Sequence, residues 1–485
     1  QIEGLKPLEL TSSKLQLQLR PLCSLDFVLS VAMKTSLLAA VSLSAALAAS
    51  PHPERIAQIE AIQGTAGVQW KATLVDRFAH AAPGASKSLN GVKGDWKAAI
   101  QAGIRSGKIQ RFAPSAALAA AEIPESFDSA TNWPQCAKVI DDIRDQSNCG
   151  CCWAFAGVEA ASDRMCITSN ATLMLPLSDQ DVCFCGSDDG CGGGMIDEPW
   201  DYIKQHGAVT GGQYQGTGAF GKGMCSDFSL PHCHHHGPQG KDPFPAEGQP
   251  GCPSEQSPQC PSQCDAAAGE EHRDFAGDKY SFSGETVSAS GVKEIQQMIM
   301  AGGPVETAFT VYSDFENYAG GVYHHVSGGF AGGHAVKIVG WGTDNGVEYW
   351  KIANSWNPYW GEKGYFRIKR GESGIDDSVI ACGPDATWSK MGPSPSPGPS
   401  PSPGPAPGPS PGPPSPGCAD TEDSFYCDFT KKSNFCDMLS EKCQKTCGCC
   451  DPNPPSFCSG TAAHDASAVE AAEQAVLESV RRIVI

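Results

Sequence analysis

At 485 residues, with 54 glycines and 37 prolines spread unevenly, the chain is too long and too heterogeneous for one ordinary domain. Its 35 basic and 54 acidic side chains give a net charge of −19 with no basic stripe, which argues against nucleic acid as a partner. Its 23 cysteines fall mostly between Cys136 and Cys264 and between Cys418 and Cys458, a density that reads as disulfides made in an oxidising compartment. Zinc is the lesser reading, since the Cys149/Cys152 and Cys447/Cys450 spacings lack a second matching pair. No metal or other cofactor is called for.

In chain order, residues 1–32 precede the first methionine start and are set aside as an upstream leader. Residues 33–49 then read as a signal peptide: Met33 and Lys34, an apolar run too short to span a bilayer, and small residues around Ala46-Leu47-Ala48. No other segment is long and apolar enough to cross a membrane, and the export signal places the chain in the secretory pathway. Residues 50–121 are alanine-rich and helix-prone, with Trp70, Phe78 and Trp96 spaced along them. At Glu122-Ile123-Pro124 the character changes to Gly, Trp and Cys with short apolar runs such as Ala335-Val336-Lys337-Ile338-Val339, which suits strands beside a few helices over 122–388.

The decisive stretch is Gln146-Ser147-Asn148-Cys149-Gly150-Cys151-Cys152-Trp153-Ala154-Phe155, followed by a helix-like run through Arg164. It puts Cys152 at a helix start, where backbone N–H groups and the helix dipole favour a thiolate. Taken alone, such a cysteine is more often inert packing. Downstream come Gly332-Gly333-His334-Ala335-Val336, with glycines that allow close approach, and Tyr349-Trp350-Lys351-Ile352-Ala353-Asn354-Ser355-Trp356. Cys152, His334 and Asn354 together make a triad candidate.

From Ile123-Pro124-Glu125-Ser126-Phe127-Asp128 to Val379 the sequence resembles the papain family of cysteine proteases. The resemblance implies an α+β fold of two lobes, one helical and one β-rich, with Cys152 and His334 on opposite walls of a cleft. It also implies roles: Cys152 as nucleophile, His334 as base, Asn354 orienting the imidazole, Trp356 shielding that contact, and Gln146 donating to the oxyanion. Peptide and protein substrates would be the partners. One departure from the family signature is Cys151, where Ser or Ala is usual.

The interval from Cys152 to His334 exceeds the ~130 to 150 residues of the papain pattern. The excess fits a Pro- and Gly-rich insertion from Cys225 to Cys264 that carries Cys233, His234, His235, His236, Cys252 and Cys260. Cathepsin B relatives have such a loop, closed by a disulfide and bearing paired histidines that receive a substrate's terminal carboxylate. By position, Cys233 and Cys252 would close it, His235 and His236 would be the pair, and Asp145 would hold His235. The bland alternative is a surface loop with a histidine run. The resemblance further implies Asp376 in the pocket for the second residue before the scissile bond, disulfides Cys136–Cys166, Cys149–Cys191 and Cys225–Cys264, and Cys260 joined to Cys183 or Cys185. Asn170-Ala171-Thr172 is a glycosylation signal.

Residues 50–121 resemble the compact propeptide of cathepsin B relatives, an inhibitor of the chain's own cleft, with a plain leader as the alternative. Residues 393–416 are a proline-rich spacer reaching about 75 Å as polyproline II. Residues 418–450, with Cys418, Cys427, Cys436, Cys443, Cys447 and Cys450, resemble an ShK-toxin-like module, which implies Cys418–Cys450, Cys427–Cys443 and Cys436–Cys447; Cys449 and Cys458 are extra. Its architecture suggests a surface or matrix ligand, and 451–485 forms a tail. Lysosome, acidic vacuole and extracellular space all suit the whole, with C-terminal dipeptide release and internal cleavage as the expected activities. The competing class is a catalytically silent scaffold that presents the module.

Overall fold

The computed structural model describes residues 51–234, 243–244 and 256–391. The leader, signal peptide, spacer, cysteine-rich module and tail lie outside the described residues, as do His235, His236 and Cys252. Among the described residues, six helices of seven residues or more are α1 (Pro53–Gly64), α2 (Trp96–Ser106), α3 (Cys152–Thr168), α4 (Asp179–Cys185), α5 (Glu198–His206) and α6 (Val292–Gly302). The strands are β1 (Trp70–Ala72), β2 (Gln110–Arg111), β3 (Phe127–Asp128), β4 (Tyr280–Ser283), β5 (Thr286–Ala289), β6 (Val305–Tyr312), β7 (Tyr318–Tyr323), β8 (Phe330–Asp344), β9 (Val347–Ala353), β10 (Tyr365–Lys369), β11 (Val379–Cys382) and β12 (Thr387–Lys390).

Local chemistry sets several boundaries. Asp95 caps α2 by accepting from the Ala98 amide at 3.0 Å, and Gly107 ends the helix in the left-handed region at φ 79°. Ser178 caps α4 through the Asp181 amide at 3.1 Å. The main sheet has ten strands in the order β1-β7-β10-β9-β8-β6-β11-β5-β2, with β3 added beside β8; β4 and β12 pair separately. β8 is buried from Ala331 to Gly342, which explains why its sequence runs apolar instead of alternating. A Cβ at Gly340 would lie 2.2 Å from the Phe127 carbonyl oxygen, so only glycine admits β3 there.

The helical part gathers round α3, which packs on α4, α5 and β8. Every residue from Cys152 to Cys166 is buried, including Glu159, Asp163 and Arg164. The architecture is the α+β arrangement of a helical and a β-rich part, meeting where the start of α3 faces the middle of β8. Residues 51–121 supply both ends of the sheet: β1 runs antiparallel to β7, and β2 runs parallel to β5.

Candidate active site

Cys152 opens α3, where first-turn N–H groups have no intrahelical partner, and the Trp153 amide acts on its sulfur. Sγ accepts from the amide of Ala335 at 3.4 Å, the residue after His334 on β8, and from the amide of Gly91 at 3.2 Å. The thiol is fully buried, and burial pushes it up to about 11 against the pull of these amides; the Glu306 carboxyl adds to the rise. Glu306 is itself raised well above the ordinary carboxyl range by burial, with the Trp200 indole donating to it at 2.7 Å.

His334 Nε2 lies 2.8 Å from Asn354 Oδ1, which also accepts from the Ser355 amide at 2.9 Å. The Trp356 indole covers the imidazole, ring centroids 5.0 Å apart, and is 1% exposed. Gln146 is oriented by Ser355, whose hydroxyl donates to its Oε1 at 2.7 Å; its Nε2 donates to Cys149 O at 2.7 Å and to Leu89 O at 3.0 Å. The expected quartet therefore lies on α3, β8 and the segments before α3 and after β9.

The main chain of 89–91 fills this place. Gly91 N–H faces the sulfur, Leu89 C=O takes the Gln146 amide, and Val92 N–H donates to Gly333 O at 3.0 Å. A Cβ on Gly91 would sit 1.7 Å from the Gly150 carbonyl oxygen, so the crossing needs glycine at that point.

Asp145 Oδ1 accepts from the Ser147 amide at 2.7 Å, while Oδ2 lies 3.1 Å from His232 Nδ1 and 3.2 Å from Asn357 Nδ2. Phe244 stacks on His232 at 4.7 Å. The stem of the insertion is thus tied beside Gln146: Ser147 Oγ donates to Pro231 O at 2.6 Å, and Asn357 Nδ2 donates to Cys233 O at 3.1 Å. Cys233 is disulfide-bonded, and its expected partner Cys252 lies outside the described residues, as do His235 and His236. Asp376 is 6% exposed, and its Oδ2 accepts from Gly371 N at 2.9 Å and Trp350 Nε1 at 3.3 Å. Its neighbour Asp377 pairs with Lys97 of α2. Asn170 is exposed at φ 51°.

Disulfides join Cys136–Cys166, Cys149–Cys191, Cys225–Cys264 and Cys185–Cys260. Cys260 therefore takes Cys185, and Cys183 pairs with Cys151, stapling the residue before Cys152 to α4. Cys152 and Cys382 are the free thiols among the described residues.

The papain family cysteine protease pattern matches residues 123–383. The chain belongs to the papain family of cysteine proteases. It is 44% identical over 268 residues to "Cathepsin B-like cysteine proteinase 6" of Caenorhabditis elegans, an alignment that covers 53% of this chain and 66% of the relative. It is 43% identical over 266 residues to "Cathepsin B-like cysteine proteinase" of Schistosoma japonicum, covering 54% and 73%. The chain thus spans just under two thirds of the first relative's length. In structure it resembles "proCathepsin B S9 from Trypanosoma congolense", with a TM-score of 0.54, 29% identity, and coverage of 67% of this chain and 96% of that one. The likeness is to a proenzyme, and residues 51–121 precede the region that the papain-family pattern matches.

Sequence reading missed the charges beneath the site. Lys337, three residues after His334, lies 2.8 Å from Asp163 and 3.6 Å from Glu159, both on α3. Arg144 joins the same network through Asp179 at 2.6 Å and Asp142 at 3.2 Å. The available signal was a lysine inside an apolar strand and two acids four apart in an apolar helix, since charges are rarely buried unless paired.

Proposed function

We propose that this chain is the zymogen of a cathepsin B-like cysteine peptidase whose mature form cuts peptide bonds internally and also releases dipeptides from C-termini in acid. The supporting observation is that a stretch of the chain's own backbone lies against the candidate nucleophile, with the Leu89 carbonyl on Gln146 and the Gly91 N–H on Cys152. In this reading the closed state is inert for two reasons. The sulfur meets an amide N–H where a substrate would present carbonyl carbon, and its burial keeps it a thiol.

Once residues 51–121, the proposed prosegment, leave, His334 takes the thiol proton, and the resulting imidazolium and water stabilise the thiolate. The thiolate attacks the scissile carbonyl, and charge on the oxyanion is met by Gln146 Nε2 and the Cys152 amide. His334 then protonates the leaving amine, and the C–N bond breaks to leave an acyl-enzyme. Water, deprotonated by the same imidazole, hydrolyses the thioester. Asn354 holds the ring through Nε2, and Trp356 keeps solvent off that bond.

The exopeptidase part rests on the insertion. Its stem is anchored by Asp145, Ser147 and Asn357 within reach of Gln146, so a carboxylate-binding pair at His235 and His236 would close the primed end. Asp376, with Asp377 beside it, supplies negative charge for the pocket that takes the second residue before the cut, and the Lys97–Asp377 pair supports acceptance of a basic side chain there. The disulfides suit folding in the secretory pathway, with a lysosome-like compartment or the outside as destination. Asn170 is the proposed glycan site. The C-terminal module is assigned surface or matrix binding; deleting 393–485 then leaves small-peptide hydrolysis intact and lowers retention, and unchanged retention rejects it.

The test is mass spectrometry of N-blocked peptides with free or amidated C-termini, incubated near pH 5 with processed enzyme and a Cys152→Ala control. Stepwise dipeptide loss favoured by the free carboxylate is expected. Internal cuts alone would remove the exopeptidase half, and no cleavage by folded, processed enzyme would favour a silent scaffold.

A further inference from the structure

The prosegment also grips the enzyme away from the cleft, at the turn Ser313–Asn317 between β6 and β7. Glu316 there is 0% exposed, and its two oxygens take three donors: Arg55 Nη2 and the Gly84 amide on Oε2, each at 3.0 Å, and the Ser86 amide on Oε1 at 2.6 Å. All three donors belong to the prosegment. Among the described residues, no group of the enzyme part hydrogen-bonds that carboxylate.

Arg55 is equally committed. Its Nη1 donates to Asn317 Oδ1 at 3.2 Å, and its remaining N–H groups reach the Ala81 and Ala82 carbonyls at 3.2 and 3.0 Å. One turn later on α1, Gln58 donates to Ser313 Oγ at 3.0 Å and accepts from Asn317 Nδ2 at 3.0 Å. Asn317 therefore contacts both positions, its oxygen facing the arginine and its amide facing the glutamine. A planar guanidinium spans the adjacent carboxylate and amide oxygens, whereas the point charge of an ammonium reaches one of them well.

A buried carboxylate is tolerated only while its donors are present. Removing the prosegment strips every donor from Glu316 at once and leaves an oxygen-rich surface with the same spacing. We propose that Glu316, Asn317 and Ser313 form an arginine-reading exosite: Arg55 occupies it in the zymogen, and in the processed enzyme it binds a helical segment of a protein partner that carries Arg followed three residues later by Gln. The inference rests on removal of the prosegment, and it is independent of the chemistry at Cys152.

The experiment uses the full chain with Cys152→Ala and a protease recognition sequence inserted after Ala121, so that excision does not depend on self-processing. The excised enzyme is titrated with a labelled synthetic peptide of residues 51–66 and with its Arg55→Ala and Arg55→Lys versions, followed by anisotropy. The parent peptide is expected to bind. Each of Arg55→Ala in the peptide and Glu316→Gln in the enzyme should weaken it at least tenfold, with no further loss when combined. Arg55→Lys should fall close to Arg55→Ala. No binding of the parent peptide, indifference to Arg55, or losses that multiply independently would overturn the exosite. The peptide-side changes decide the matter on unaltered enzyme if Glu316→Gln misfolds. A failure of the peptidase reading would surface instead in hydrolysis by the Cys152 enzyme.

Discussion

Two junctions in this molecule bury charge in similar ways and differ in what they must do. Between α3 and β8, Lys337 lies between Asp163 and Glu159; between the prosegment and the turn before β7, Arg55 meets Glu316 at 3.0 Å. The first joins the wall that carries Cys152 to the wall that carries His334, and on the proposed zymogen reading its members all stay in the mature enzyme. On the same reading the second joins a part that leaves to a part that stays. Burial alone does not make an ion pair permanent; what decides is whether removing one peptide removes every partner at once.

The comparison breaks most visibly at Lys337. Lys337→Ala should lower stability by about 3–5 kcal/mol, because it removes the ammonium that pairs directly with two buried carboxyls, while Arg144 is bound to Asp179 and Asp142. Urea unfolding of the Cys152→Ala chain measures it. A loss under about 1 kcal/mol would mean that water reaches the network and that the α3–β8 junction is not fixed by charge.

Next in size is the staple on the permanent side. Cys151 precedes the nucleophile and is bonded to Cys183 of α4, with a sequence separation of 32. Replacing both by serine should cost roughly 2–4 kcal/mol by freeing the unfolded chain, while kcat of processed enzyme stays within a few-fold of wild type. A kcat collapse in a folded double variant would give Cys151 a role in the chemistry itself.

The same permanent network carries a pH dependence. Burial pushes Glu159 up to about 8 and Asp163 to about 6, against the attraction of Lys337, which is itself held above its ordinary value by the two acids. A carboxyl raised in the folded state holds its proton there more tightly than in the unfolded chain. Its contribution to stability is therefore full below the unfolded value near 4.5 and is lost as pH rises to about 8. Glu159→Gln should flatten that slope, by up to about 2 kcal/mol between pH 5 and 8. Parallel stability profiles for the two proteins would assign the slope elsewhere.

How much of this was legible beforehand follows from what sequence records. Cys152, His334 and Asn354 stood out because the three occur together in that order, Gln146 took its role from the resemblance to the papain family, and the disulfide-rich α+β character followed from cysteine density, apolar runs and the same resemblance. Arg55, Glu316 and Lys337 were silent. An arginine in a polar helix and a glutamate in Asp314-Phe315-Glu316-Asn317 look like solvated surface until the partner 261 residues away is known. Cys183 was ambiguous for a related reason, since connectivity depends on which sulfurs the fold brings together.

The smallest expected effect tests the releasable side where it crosses the cleft. Gly91 lies so close to Gly150 that a Cβ would fall 1.7 Å from its carbonyl oxygen, which is backbone and cannot swing aside. Gly91→Ala must therefore lift residues 89–91 from the sulfur and from Gln146, while Arg55 and Glu316 still hold α1 some distance away. Loss of one or two hydrogen bonds, at about 1 kcal/mol each, should raise alkylation of Cys152 in the unprocessed chain roughly five- to thirtyfold. Processed enzyme, which no longer contains the residue, should be unchanged. If alkylation stays at the wild-type rate, access to the sulfur is governed by the distant Glu316 contact and not by the crossing, and the two halves of the prosegment would then open as one.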